Sequence, residues 1–229
     1  MSVRASVAHD AALLHVTGKA RYVDDIPIPE NSLHLAFGLS TIARGEVGKM
    51  DLGPVLASEG VVAVLTFKDL PFENDSSPAA NDEPLLSEGE VNYVGQPLFI
   101  VIAERHLLAR KAATKALVNY SEKSPILSVE DALAVESRFE EGPRIYQKGD
   151  AATAIRNSEL RLSGTFAIGG QEHFYLEGQA ALALPSDDEE MVIHSSTQHP
   201  SEVQHKVAKA LGLGMHEVRV EVRRMGGGF

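Results

Sequence analysis

Apolar positions along this chain fall mostly into short runs of period two, interrupted by a few runs of helical period. Residues 33–39 (LHLAFGL) predict a strand, and residues 61–67 (VVAVLTF) predict a stronger one because β-branched side chains dominate it. Between them, residues 51–59 leave room for a short helix. Residues 91–103 (VNYVGQPLFIVIA) resume strand character, with Gly95-Gln96-Pro97 as a break or bulge. The period then changes. Over residues 104–117, Leu108, Ala112 and Ala116 recur on one helical face while Arg105, Lys111 and Lys115 fall elsewhere. A strand at residues 118–120 follows, so strand, helix and strand predict an α/β unit whose helix covers one face of a sheet.

In the second half, Ser128 with Asp131 three residues on opens a helix over residues 129–135. A short helix at 150–156 and strands at 159–168, 179–184 and 191–195 come next, the last two joined by the polar turn 185–190. His199-Pro200 places proline at a helix start; Val203, Val207 and Leu211 form its apolar stripe, and Gly212 stops it. Residues 216–223 (HEVRVEVR) alternate cleanly and predict the last strand. Two polar regions punctuate this pattern. Residues 71–90 read as a long exposed loop, and residues 137–149, with Gly142-Pro143 and no apolar period, as the domain boundary. The organisation expected is a turn-rich lead-in at 1–12, an α/β domain at 13–122, a linker at 123–148 and the beginning of a second domain at 149–229. The fold class is α/β (α+β).

Composition narrows the function. A hydrophobic content of 44% and a charged content of 23% are those of a globular protein, and 229 residues suffice for two cores. The net charge of −11 argues against nucleic acid or an anionic membrane as the main partner. With no cysteine, this chain holds no disulfide, zinc-thiolate site or iron–sulfur ligand. Residues 1–10 lack the apolar core of a signal peptide, and the run at 98–103 is too short to span a bilayer, so the expected setting is the cytoplasm.

Two stretches carry candidate chemistry. Gly169-Gly170-Gln171-Glu172-His173-Phe174-Tyr175-Leu176-Glu177 concentrates amide, carboxylate, imidazole and phenol groups behind two glycines. A polar turn between strands is the plain reading, and a ligand-facing segment is the other. The chain closes on Arg224-Met225-Gly226-Gly227-Gly228-Phe229, a loop whose bare N–H groups suit an anion or a planar ligand. Such a loop ordinarily leads into further structure, so the chain is expected to be a piece of a larger domain. Arg219, Arg223 and Arg224 flank the loop, with Arg224 the best placed of them to meet an anionic ligand. His194, His199 and His205 lack the spacing that sets two imidazoles on one helix face, and no Gly-x-Ser-x-Gly elbow accompanies Ser195-Ser196.

The two stretches together closely resemble the molybdenum hydroxylase (xanthine oxidase) family, and within it the molybdopterin-binding subunits of bacterial xanthine dehydrogenases. Thr17 to Asp25 (TGKARYVDD), Val94-Gly95-Gln96-Pro97 and Gln198-His199-Pro200 support the resemblance along the whole chain. It implies an N-terminal hammerhead domain followed by the start of a molybdopterin-binding domain. It implies that Gln171 stands beside the apical oxygen ligand of molybdenum, where an amide donates without adding charge. It also implies that Gly227, Gly228 and Phe229 bind the cofactor, with no residue of this chain ligating the metal directly. In the family the loop runs on into Gly-Gly-Lys-Glu, and the general base lies further on. The resemblance therefore implies no catalytic residue within these residues and no turnover by this chain alone. The parent reaction it implies is hydroxylation of hypoxanthine or xanthine, with electrons leaving through iron–sulfur clusters and FAD on a separate subunit to NAD. The partners implied are that subunit, the remainder of the molybdopterin-binding subunit and a purine. An aldehyde oxidase-type subunit and a non-catalytic interaction module are the alternatives. The resemblance leaves the roles of His173, Glu177 and Arg224 open.

Overall fold

The computed structural model describes residues 4–138, 142, 144–187 and 190–228. Its first half runs α1 (Ala12–Val16), β1 (His34–Leu39), β2 (Gly45–Asp51), α2 (Gly53–Leu56), β3 (Val61–Thr66), β4 (Glu90–Val91), β5 (Pro97–Ala103), α3 (His106–Ala113) and β6 (Leu117–Glu122). The second half runs α4 (Val129–Ala134), α5 (Ala151–Asn157), β7 (Ala181–Pro185), β8 (Met191–Ser195), α6 (Pro200–Leu211) and β9 (Val218–Glu221). The chain divides into two compact units, one comprising residues 1–123 with 174–229 and the other residues 124–173.

In the first unit, β5 is the centre of an antiparallel sheet ordered β1–β5–β3. It takes that place because it is the most continuously apolar strand, buried at Leu98, Phe99, Val101 and Ala103. Register sets Ala36 opposite Val101 on one face and Phe37 opposite Ile100 on the other. The first face packs under α3, where Ala109 and Ala112 join the core. On the second face Leu35, Phe37 and Leu39 are exposed. Strands β4, β2 and β6 form a separate sheet. Thus β5 and β6, the two strands flanking α3, do not share a sheet: α3 covers one sheet as expected without being a crossover within it. Strand β2 had no sequence signal, since GEVGKMD alternates poorly and its pairing with β6 is interrupted by a bulge between Val47 and Met50.

Residues 71–89 form a loop without regular elements, as expected, but part of it is buried rather than exposed. Leu86, Ser77, Asp75 and Ser87 are buried there, and the segment is fastened to α6. Lys206 Nζ donates to Asp75 Oδ2 at 2.8 Å, the backbone N–H of Glu73 reaches the Lys209 carbonyl, and the Phe72 ring lies against Gly212, whose φ of 70° closes the helix in the left-handed conformation. The Lys206 ammonium, followed by the Ser77 hydroxyl, holds the Asp75 carboxyl at about 2, well below its usual range. A carboxyl depressed in the folded state stabilises above its unfolded pKa, and that contribution is lost as pH falls through the folded value. The expected outcome is that the stability advantage of the native chain over Asp75→Asn is constant near neutrality and fades between about pH 4 and pH 2, measured by thermal melts across that range.

The third sheet is ordered β7–β8–β9. Strands β7 and β8 are antiparallel, whereas β8 and β9 are parallel and joined through α6, as a parallel pair requires. Ile193, Ala208 and Val218 form its core, with Val203 and Val207 of the predicted stripe packed beside them. Among the described residues no helix is long and apolar enough to cross a membrane.

The second unit contains α4 and α5, each opened by a side-chain cap, the one at Ser128 as expected. Ser128 Oγ accepts the Asp131 N–H at 3.0 Å and Asp150 Oδ1 accepts the Thr153 N–H at 3.0 Å. The strand expected at 159–168 is not formed. Leu160, Leu162, Phe166 and Ile168 alternate, yet even the least exposed, Ile168, is 81% exposed. Alternation supplies a face, but a strand also needs a neighbour for its backbone groups, and this segment has none among the described residues.

Candidate functional site

Because β8 and β9 run parallel, their carboxyl ends lie on one edge of the sheet, and β7 begins at that edge with Ala181 opposite Ser195. In sheets built with helical crossovers, ligands bind beyond the carboxyl ends of the strands. Three segments gather at this edge. Ser196, just after β8, donates its backbone N–H to the Ala180 carbonyl at 3.0 Å. Leu176 donates its N–H to the Gly226 carbonyl at 3.3 Å, which lays the 176–177 backbone along the glycine loop. Gln198 lies against Gly228.

Gly226 has to be glycine. A Cβ there would overlap the backbone nitrogen of Glu177 and stand 2.8 Å from its Cα, and neither atom can rotate away. A Cβ on Gly228 would meet Gln198 Oε1 at 2.9 Å, the movable end of a long side chain. The N–H groups of Gly227 and Gly228 donate to no described residue, so the loop offers two adjacent donors to a ligand rich in oxygen or ring nitrogen.

Glu177 underlies this loop. It is 8% exposed, and its carboxylate bridges two backbone donors. Oε1 accepts from Val23 N–H at 2.9 Å and Oε2 from Gly226 N–H at 3.1 Å. Beside it, Arg224 donates from Nη1 to the Arg21 carbonyl at 2.6 Å. Residues 21–23 are thus tied twice to the start of the glycine loop. A cavity of about 320 Å³ opens next to this junction, lined by Lys19, Arg21, Tyr22, Arg223 and Arg224 with His194 and Glu221. The Nε of Arg224 is buried without a hydrogen-bond partner among the described residues. Arg219 instead reaches Glu221 at 3.2 Å on an exposed face.

The other sequence candidates separate. Gln171 lies in the second unit, exposed and outside any helix or strand, and its side chain makes no hydrogen bond among the described residues. Gly169 and Gly170 do not make the tight turn anticipated for them: neither has positive φ, and a Cβ on either would meet no atom within 4 Å. The positive φ of this stretch falls on Phe174, at 53°. Phe229 lies outside the described residues. His199 caps α6, its Nδ1 accepting the Glu202 N–H at 3.3 Å, and His194 Nδ1 stands 3.9 Å from Glu221 Oε2. Among the described residues, no three His, Asp or Glu side chains converge to hold a metal ion. Sequence reasoning left Glu177 without a role, because its two partners lie 154 and 49 residues away and no local pattern announces such a pairing.

Comparison with known proteins accounts for most of the chain. Residues 17–124 match the family described as "Aldehyde oxidase and xanthine dehydrogenase, a/b hammerhead domain", and residues 137–229 match "Molybdopterin cofactor-binding domain". The chain is 43% identical over 223 residues to a xanthine dehydrogenase of Drosophila subobscura, covering 96% of this chain and 17% of that protein. It is 39% identical over 225 residues to aldehyde oxidase 4 of Cavia porcellus, covering 97% of this chain and 16% of that one. Among solved structures it superposes on the aldehyde oxidoreductase of Desulfovibrio gigas with a TM-score of 0.81 at 26% identity, over 96% of this chain and 26% of that chain. The chain therefore spans less than a fifth of the length of these sequence relatives.

Proposed function

Because this chain belongs to the molybdenum hydroxylase family, with a hammerhead domain followed by the start of a molybdopterin-binding domain, we propose that it is part of a xanthine dehydrogenase. The identity of 43% to a xanthine dehydrogenase carries this reading. The identity of 39% to an aldehyde oxidase keeps an aldehyde-oxidising enzyme as the second reading. We place the hammerhead at 13–122, a linker at 123–148 and the molybdopterin-binding portion from 149 onward.

The residues present fit a pterin-bound molybdenum centre. In the first unit the donors at hand are neutral, namely the Gly227 and Gly228 amides, and neither competes as a metal ligand; the family resemblance adds the Gln171 carboxamide. When bound, that centre supplies a two-electron oxidation in which water provides the oxygen. This chain's part is to hold and orient. Gly227 and Gly228 would donate backbone N–H groups, Gln171 would donate a hydrogen bond without adding charge, and Phe229 would offer an aromatic side chain to a flat heterocycle. We place the iron–sulfur clusters and FAD, through which electrons pass to NAD, on a separate subunit; the absence of cysteine from these residues is in keeping with clusters held elsewhere and with a reducing, cytoplasmic setting. The activity is proposed for the whole enzyme that carries this chain.

The test is substrate preference of that enzyme. Purine-dependent NADH formation with kcat/KM well above that for aldehydes is the expected result, and a preference for aldehydes would favour the second reading. Gln171→Ala in the same enzyme is expected to lower kcat by about 10–100-fold, the usual cost of losing a partner one shell out from a metal, with the circular dichroism spectrum unchanged.

A further inference from the structure

We propose that Glu177 is the positioning residue of the glycine loop: its buried carboxylate, held between the Val23 and Gly226 amides, fixes where Gly227 and Gly228 present their N–H groups. Only two acidic side chains are buried among the described residues, Asp75 and Glu177, each 8% exposed. Asp75 has the Lys206 ammonium as its partner. Glu177 pairs with no cation among the described residues; its charge is met by two main-chain donors from segments far apart in sequence. Taking a carboxylate out of water without a counter-ion is costly, and what it gains here is geometry, since two divergent oxygens join two separate backbones through charge-assisted hydrogen bonds.

The remaining contacts make the carboxylate decisive. Leu176 N–H to the Gly226 carbonyl, together with the Glu177 carboxylate to the Gly226 N–H, engages both polar groups of that one residue. The next two amides donate to no partner among the described residues and remain available to a ligand. Arg224, hydrogen-bonded to the Arg21 carbonyl, fixes the residue two positions before Gly226 to the same upstream segment. The loop's position therefore depends on residues 21–23, and Glu177 is the link.

A glutamine at this position keeps volume and shape but has one acceptor oxygen, and its NH2 would face an N–H donor. Glu177→Gln therefore breaks one of the two links while leaving packing intact. Amide hydrogen exchange of the 229-residue chain, resolved by residue, reads this directly. In the native chain Gly226 is expected to exchange at least about tenfold more slowly than Gly227 and Gly228. In Glu177→Gln, protection at Gly226 or Val23 falls by at least about tenfold, while Ile193 and Val218 in the sheet core keep theirs. Equal, fast exchange at Gly226 and Gly227 in the native chain overturns the proposal, whether or not the variant folds. So does a variant that loses protection evenly across the core, because that is a general loss of stability.

That the loop faces a molybdenum cofactor rests on the family reading, whereas the clasp does not. In the whole enzyme, Glu177→Gln is expected to lower kcat by about tenfold or more with an unchanged melting temperature. Native turnover and molybdenum content in that variant would sink the positioning role and leave the family reading standing. A native enzyme without molybdenum would sink the family reading and leave the clasp intact.

Discussion

Replacing Gly226 by alanine in the enzyme that carries this chain is expected to reduce turnover by about 100-fold or more, the order of loss that follows from moving a positioned group by an ångström. The reason is local and steric. The new methyl would occupy the space of the Glu177 backbone nitrogen and approach its Cα, and both sides of that contact are main chain. Relief requires either the loop or the 176–177 backbone to withdraw. Withdrawal breaks the Leu176 to Gly226 hydrogen bond and the Gly226 to Glu177 hydrogen bond together. The Gly227 and Gly228 amides then no longer stand where the β8 and β9 ends place them. Gly228→Ala is the comparison, because its added methyl meets the end of the Gln198 side chain, which can rotate aside. The smaller change at 228 and the larger at 226 are read from kcat with substrate saturating. Equal losses at the two positions would show that backbone contact with Glu177 is not what sets the loop.

The second large effect is on stability. Phe99→Ala is expected to destabilise the chain by about 3–5 kcal/mol in chemical denaturation, through lost burial and the cavity left behind. Phe99 is 1% exposed and sits on the central strand of the first sheet, on the face that packs under α3. Phe37, on the opposite face of the adjacent strand, is 55% exposed. Phe37→Ala should therefore cost less than about 1 kcal/mol, as exposed substitutions do. The pair separates the two faces of one sheet with one chemical change. Similar losses at both positions would mean that the Phe37 face is covered in solution.

What the sequence made legible was whatever is decided locally. Strand β5 declared itself by unbroken β-branched and apolar residues, and α6 by Pro200, its apolar stripe and the Gly212 stop. The cap at Ser128 is a three-residue device and formed as expected, and the structure adds a like one at Asp150. Long-range decisions were illegible. Residues 71–90 looked like solvent-exposed loop because their polar residues are satisfied from elsewhere, Asp75 by Lys206 at a separation of 131 residues. Residues 159–168 carried the right period, but pairing depends on a neighbour that alternation cannot specify. At the site, resemblance singled out Gln171, Gly227 and Gly228 by their chemistry, whereas Glu177 became visible only when folding brought Val23 and Gly226 to its two oxygens. Such long-range contacts, at separations of 154 and 49 residues, are the ones no local pattern announces.

The proposed role of the 226–228 loop is to serve a molybdenum–pterin centre. The most direct test is the molybdenum and pterin content of the purified native enzyme containing this chain, measured alongside its hydroxylation rate. Stoichiometric molybdenum and pterin are expected, with activity rising in proportion to molybdenum across preparations. Full activity in enzyme free of molybdenum would contradict it.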